Sequence, residues 1–75
     1  MSINTRQGKD RRAAVVEFVT FYWREHGYAP SVREVAGGVG FHTASGAAYQ
    51  IRILIAEGVL VRAPGVSRTL RVVQQ

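Results

Sequence analysis

The sequence predicts a mostly α-helical domain in which three helices are followed by a small β-hairpin. Up to Gly58, apolar residues repeat at helical spacing, and glycines interrupt this spacing where helices would end. After Gly58 the period shortens to that of strands. A chain of 75 residues supports a single hydrophobic core. We therefore expect one domain over residues 10–73.

The first helix is expected from about Asp10 to His26, and Gly27 ends it. Phe21 lies outside the apolar stripe and is expected to be exposed. Residues 1–9 are polar and lack periodicity, which predicts a flexible N-terminal arm. The stripe has the spacing i, i+3, i+4, i+7, with Trp23 at its flank: Val15, Phe18, Val19 and Tyr22.

A short second helix is predicted immediately after Pro30. Ser31 and Glu34 have the spacing of a capping box, in which each side chain satisfies a free backbone N–H at the helix start. Gly40 is expected in the left-handed conformation that closes the following turn. The residues expected to face the core are Val32, Val35, Ala36, Val39 and Phe41.

The third helix is predicted to begin at a cap, Thr43 or Ser45, and to end near Glu57. Its inner stripe is Ala47, Ile51, Leu54 and Ile55. Its outer face is small, hydroxylated and aromatic, with one arginine, whereas an ordinary surface helix is rich in Glu and Lys. These outer residues are Ser45, Gly46, Ala48, Tyr49 and Arg52. Two helices joined by a tight glycine turn predict a helix-turn-helix.

Residues 59–62 and 70–73 alternate as the two strands of a hairpin. Pro64 and Gly65 supply the turn, and Ser67 and Arg68 lie near its tip. Three helices followed by such a hairpin constitute a winged helix-turn-helix, in which the hairpin forms a basic wing.

The composition favours a polyanionic partner. Ten basic residues, nine of them arginine, stand against five acidic ones, for a formal charge of +5. The lack of cysteine excludes disulfides and thiolate metal sites within this sequence. There is no apolar run of membrane-spanning length and no signal-peptide core, so we expect a cytoplasmic protein with no membrane partner.

From Arg11 to Val73 the chain resembles the N-terminal DNA-binding domain of LexA-type repressors of the SOS response. The resemblance is carried by GYAPSVREVA, the Gly40-Phe41 turn, Gly58-Val59-Leu60 and the wing pair Ser67-Arg68. It implies a regulator, expected to be a repressor, that binds double-stranded DNA. The third helix would read the major groove, and the wing would reach the minor groove.

The resemblance also implies which residues bind DNA. Arg52 would reach a base edge or a phosphate, and Arg62 and Arg11 would contact phosphates. Ala48 and Tyr49 stand where such repressors often carry acidic or polar residues, so we expect a target that differs from the SOS box. The full set is Thr43, Ser45, Gly46, Ala48, Tyr49, Arg52, Arg62, Ser67, Arg68 and Arg11.

LexA-type repressors also carry a C-terminal serine–lysine self-cleaving domain that supplies most of their dimerisation. The present sequence ends at Gln75. If that is the natural length, self-cleavage is not available to the protein. A domain taken from a longer chain is the other interpretation. In either case we expect a weak or DNA-induced homodimer, because one recognition helix reads too few base pairs for specificity.

Other functions have less support. His26 and His42 lack the further ligands that a metal needs, and the acidic residues form no catalytic pair, so we expect neither an enzyme nor a cofactor. Two alternatives remain open. Phe21 and Tyr49 could serve a protein–protein interaction module. The small size would also suit an architectural or recombination-directionality protein that bends DNA.

Overall fold

The computed structural model describes residues 7–66 and 68–73. They form three helices and a two-stranded antiparallel sheet, which confirms the predicted winged helix-turn-helix. The elements are α1 (Gln7–His26), α2 (Val32–Val39), α3 (Ala44–Ala56), β1 (Leu60–Val61) and β2 (Arg71–Val72).

Helix α1 begins at Gln7, three residues before the predicted start near Asp10. Residues 7–9 of the predicted arm therefore belong to the first helical turn. Gly8 is tolerated there because the first N–H groups of a helix have no intrahelical partner, so a break in local propensity matters least at the end. Residues 1–6 lie outside the described residues, and the flexible arm stays a prediction for them.

The caps of α2 and α3 follow the sequence signals. The Glu34 backbone N–H donates to Ser31 Oγ at 3.1 Å, and the Ser31 N–H donates to Glu34 Oε1 at 2.8 Å. Gly40 has φ +100°, so the turn between the helices uses the left-handed conformation as predicted. Of the two candidate caps of α3, Thr43 is the one used, because its hydroxyl accepts from the Gly46 N–H at 3.2 Å.

The predicted inner stripes of all three helices meet in one core, except that Tyr22 of the α1 stripe packs against His26 and Tyr28 instead. Val15 and Val19 of α1 are fully buried between the helix-turn-helix and the hairpin. Phe18, Val32, Val39, Phe41 and Ile55 pack against this core while remaining partly exposed. The buried residues of this core cluster are Val15, Val19, Ala29, Val35, Ala36, Ala47, Ile51, Leu54, Leu60 and Leu70.

The hairpin is shorter than predicted but lies at the predicted place. Leu60 pairs with Val72 and Val61 with Arg71, and a bond from the Val73 N–H to the Val59 carbonyl at 2.9 Å extends the pairing. Leu70, at the base of the wing, is only 4 % exposed and packs into the core. The base of the wing is thus packed on the core.

Candidate nucleic-acid interface

The outer face of α3 is exposed along its length. Ser45, Tyr49 and Arg52 point away from the core, and Tyr49 is 55 % exposed. Their spacing of four and three residues places them on one side of the helix, opposite the buried Ala47 and Ile51. A helix with one free face and one buried face can enter a DNA groove without disturbing its own domain.

Gly46 and Ala48 lie on the flanks of this face and are half-buried. A Cβ atom at Gly46 would stand 3.2 Å from a carbon of the Phe41 ring. The small residue therefore permits the turn to fold closely over the start of α3. Thr43 is exposed and, although its oxygen caps α3, its hydroxyl proton remains able to donate.

Two arginines of α1 lie against the helix-turn-helix. The Arg11 guanidinium carbon is 5.0 Å from the centre of the Phe41 ring, a cation–π contact. Arg12 donates to Gln50 Oε1 of α3 at 3.3 Å. Arg11 thus places positive charge beside the turn that leads into α3, whose free N–H groups already favour an anion, and Arg12 places it beside the middle of that helix. The predicted role of Arg11 at a phosphate is compatible with this location.

An open groove of about 530 Å³ lies between the wing and the second half of α3. Arg52 lines it from α3, and Arg62 lines it from the segment after β1. Ile55, Ala56, Pro64 and Gly65 supply an apolar floor and rim. Two predicted DNA-binding arginines that are ten positions apart in sequence therefore lie on the same groove.

Arg68 is placed differently from the other predicted arginines. Its Nη1 and Nη2 donate to Glu34 Oε1 and Oε2 at 2.9 and 3.1 Å. Nη1 also donates to the Ala29 carbonyl oxygen at 3.3 Å, and the guanidinium carbon lies 5.5 Å from the centre of the Tyr28 ring. The donors of Arg68 thus face the start of α2 and the segment before it.

The electrostatics of the pair agree with this geometry. Hydrogen bonds from the Arg68 side chain and from the Ser31 backbone lower the pKa of Glu34 to about 2. The carboxylate in turn raises the pKa of Arg68 above its ordinary value. Both groups are therefore fully charged at neutral pH.

The structure brings some of the predicted DNA-binding residues together, and it pairs Arg68 with two residues that the sequence did not connect to it. Ser45, Tyr49 and Arg52 share a face, whereas Arg68 is held apart from them. Ser67 lies outside the described residues. The acid of the capping box was recognised, yet no local signal tied it to an arginine 34 positions away, and the role of Tyr28 was equally hidden.

The histidines show no sign of a metal site. His26 stacks on Tyr22 with ring centres 4.1 Å apart, and His42 is exposed in the turn before α3. Within the described ranges, no group of three or more His, Cys, Asp or Glu side chains could hold a metal ion. Over the same ranges, none of the helices combines the length and apolarity needed to cross a membrane.

The fold and the arginine-lined groove define a winged helix-turn-helix of the kind that binds DNA. Comparison with known families agrees. A sequence model of the family described as the LexA DNA binding domain matches residues 6–69. The chain belongs to this family.

Individual relatives are similar over most of the chain. A LexA repressor from Roseiflexus sp. (strain RS-1) is 34% identical over 62 residues, covering 83% of this chain and 28% of the relative. LexA repressor 1 from Nocardia farcinica is 37% identical over 62 residues, covering 83% of the chain and 29% of the relative. A LexA repressor from Thermobifida fusca is 38% identical over 53 residues, or 71% and 21% respectively. The chain thus spans less than a third of the length of these relatives.

Proposed function

We propose that this domain binds double-stranded DNA at specific sequences, with α3 in the major groove and the wing against the adjacent backbone and minor groove. The observation that carries this proposal is the exposed face of α3, formed by Ser45, Tyr49 and Arg52, together with the groove that Arg52 shares with Arg62. It combines an exposed helix face, hydroxyl donors and two arginines on one groove.

The chemistry of this surface fits base readout. The major groove, about 12 Å wide, accepts an α-helix. The guanidinium of Arg52 can form paired hydrogen bonds with a guanine edge or a phosphate. Ser45 can donate or accept at a base edge, while Ala48 and the Tyr49 ring suit the methyl group of thymine. We infer a target that includes thymines beside one anchoring guanine.

We further propose that the protein acts as a transcriptional repressor. Three relatives bear the name LexA repressor, although each is more than three times as long as the stretch matched here. Two copies on paired half-sites would supply the specificity that one recognition helix lacks. We also propose a cytoplasmic location, with which a DNA partner is compatible. The role proposed for this domain requires neither catalysis nor a cofactor.

A selection from random duplexes, at about physiological salt, tests the proposal. We expect a palindromic motif to be enriched. Arg52→Ala should weaken binding to that motif by about 1–3 kcal/mol. Arg24→Ala, which removes the same charge from an exposed position on α1, is the matched control and should change affinity little. Enrichment of no motif would contradict sequence-specific binding.

A protein partner is the second candidate function, because Phe21 is 51 % exposed on α1. If the domain acts through a protein partner, Phe21→Ser should abolish the function of the protein, while Arg52→Ala should not. The DNA proposal expects the reverse. Both variants alter solvent-exposed side chains, so each should fold normally, which circular dichroism would verify.

A further inference from the structure

We propose that Arg68 is a positioning residue, which clasps the wing to the start of α2 and so fixes the approach of the wing to DNA without binding phosphate itself. The inference rests on the proposed function. It changes the role expected of Arg68, which the resemblance assigns to direct DNA contact.

Three separate contacts form the clasp. The fork of Arg68 onto both carboxylate oxygens of Glu34 is bidentate and charge-assisted, the strong form of a surface ion pair. The bond to the Ala29 carbonyl reaches a residue that is fully buried. The Tyr28 ring lies beside the guanidinium at 5.5 Å. Together these contacts tie the tip of the wing to the core.

The backbone of Arg68 supports the same assignment. Its φ of +58° lies in the left-handed region, and among the described residues Arg68 is the one non-glycine residue with a positive φ. Such a conformation persists where surrounding contacts determine it. The left-handed backbone conformation of Arg68 goes with a side chain that is directed toward α2.

The rest of the wing shows why a clasp is needed. At the base, Trp23 Nε1 donates to the Leu70 carbonyl at 2.8 Å, and Leu70 is buried. Toward the tip, Val66 is 57 % exposed, and among the described residues the Thr69 hydroxyl bonds to Ala63 and Val66, both within the wing. The contacts of Arg68, by contrast, join the tip of the wing to α2.

Substitution of Glu34 distinguishes a phosphate-binding Arg68 from a positioning Arg68, because the two roles predict opposite changes in DNA affinity. If Arg68 bound phosphate, Glu34→Gln would remove a competing negative charge and strengthen DNA binding. If Arg68 is a clasp, Glu34→Gln loosens the wing, and we expect affinity for the selected duplex to fall about tenfold, because the lost order must be regained on binding. Glutamine retains the capping box, so α2 should remain intact.

The control for charge is Glu17→Gln, an exposed carboxylate on α1. It removes the same charge without touching the wing and should not weaken binding. Arg68→Lys supplies an independent comparison, since lysine serves at a phosphate but cannot fork onto a carboxylate. We expect Arg68→Lys to weaken binding as Glu34→Gln does, and the double variant to be no weaker than either single one.

The salt dependence gives a further readout. Arg68→Ala would lower the log–log salt slope by about 0.9 if Arg68 contacts a phosphate, whereas loss of a clasp leaves the slope unchanged. Tighter binding by Glu34→Gln, together with wild-type affinity in Arg68→Lys, would overturn the proposal.

Failure of the proposed function can be told apart from failure of the clasp. If the wild-type domain prefers no duplex, the clasp is tested in the free protein by ¹⁵N relaxation of the wing amides. An ordered Arg68–Thr69 segment that becomes mobile in Glu34→Gln supports the clasp. Equal order in wild type and variant overturns it.

Discussion

At the scale of single residues, Glu34 joins two parts of the domain that sequence alone keeps separate. Its Oε1 accepts from the Ser31 N–H at the start of α2, and both oxygens accept from Arg68. One carboxylate therefore caps a helix and anchors the wing. Its low pKa is a measurable consequence of these bonds.

The first prediction concerns acid sensitivity. The folded pKa of Glu34 is about 2, below the ordinary value of about 4.3 for a glutamate in an unfolded chain. A depressed pKa contributes stability above the unfolded value, and this contribution is lost as pH falls through the folded value. Wild type should therefore exceed Glu34→Gln in stability at neutral pH, by a margin that shrinks between about pH 4 and 2.

Urea unfolding of both proteins over that pH range measures the margin. An NMR titration of the Glu34 carboxyl carbon gives the folded pKa directly. A titration midpoint near the ordinary glutamate value would show that the pair does not form in solution.

At the scale of elements, α2 contains two adjacent glycines with different surroundings. An added Cβ at Gly37 would meet no atom within 4 Å. An added Cβ at Gly38 would collide with the edge of the Phe18 ring. The pair weakens α2 as a helix, but Gly38 also allows α1 to pack closely against it.

The second prediction follows from this difference. Gly37→Ala should stabilise the domain by about 0.5–1 kcal/mol, because alanine loses less backbone entropy in a helix. Gly38→Ala should be less stable than Gly37→Ala by about 1–3 kcal/mol, since the Phe18 ring must move. Guanidinium denaturation of the wild type and the two variants measures both values. Equal stability would mean that Phe18 does not occupy the space beside Gly38.

Helix α3 yields the third prediction. The Thr43 hydroxyl accepts from the Gly46 N–H, so Thr43→Ala should cost about 1 kcal/mol of stability. Ser45→Ala removes a hydroxyl two residues away that does not cap and should cost little. Thermal unfolding of the two variants distinguishes them, and a larger loss for Ser45→Ala would mean that the helix begins two residues later.

The elements were largely predictable because their signals are local. Apolar spacing, the capping box and the glycine at position 40 each act within a few residues, so α2, α3 and the hairpin were found where they lie. The start of α1 was predicted three residues too late, because Gly8 suggests a break in the helix although a first turn tolerates glycine. The role of Gly38 depends on Phe18 of another helix and has no local signal.

At the scale of the whole molecule, a few long-range bonds join the wing to the helices. Trp23 donates to the Leu70 carbonyl across 47 positions of sequence, and Arg68 reaches Glu34 across 34. The sequence shows that Trp23 flanks an apolar stripe and that Arg68 lies in a turn. It could not pair either with its partner, because no periodicity relates residues so far apart.

The fourth prediction tests the Trp23 bond. Trp23→Phe keeps an aromatic ring but removes the donor, leaving the Leu70 carbonyl without it. We expect a loss of about 1–3 kcal/mol in unfolding free energy. Amide hydrogen exchange should quicken at residues 70–73 more than within α3. Uniform acceleration throughout the domain would instead indicate a general loss of core packing.

The most direct test of the central claim is NMR mapping of the domain bound to the duplex that selection enriches. We expect the largest amide and side-chain shifts at Ser45, Tyr49, Arg52 and Arg62. Phe21 and the middle of α1 should remain unaffected. Shifts concentrated around Phe21, with the outer face of α3 unchanged, would contradict the assignment of α3 and the wing groove as the DNA-binding surface.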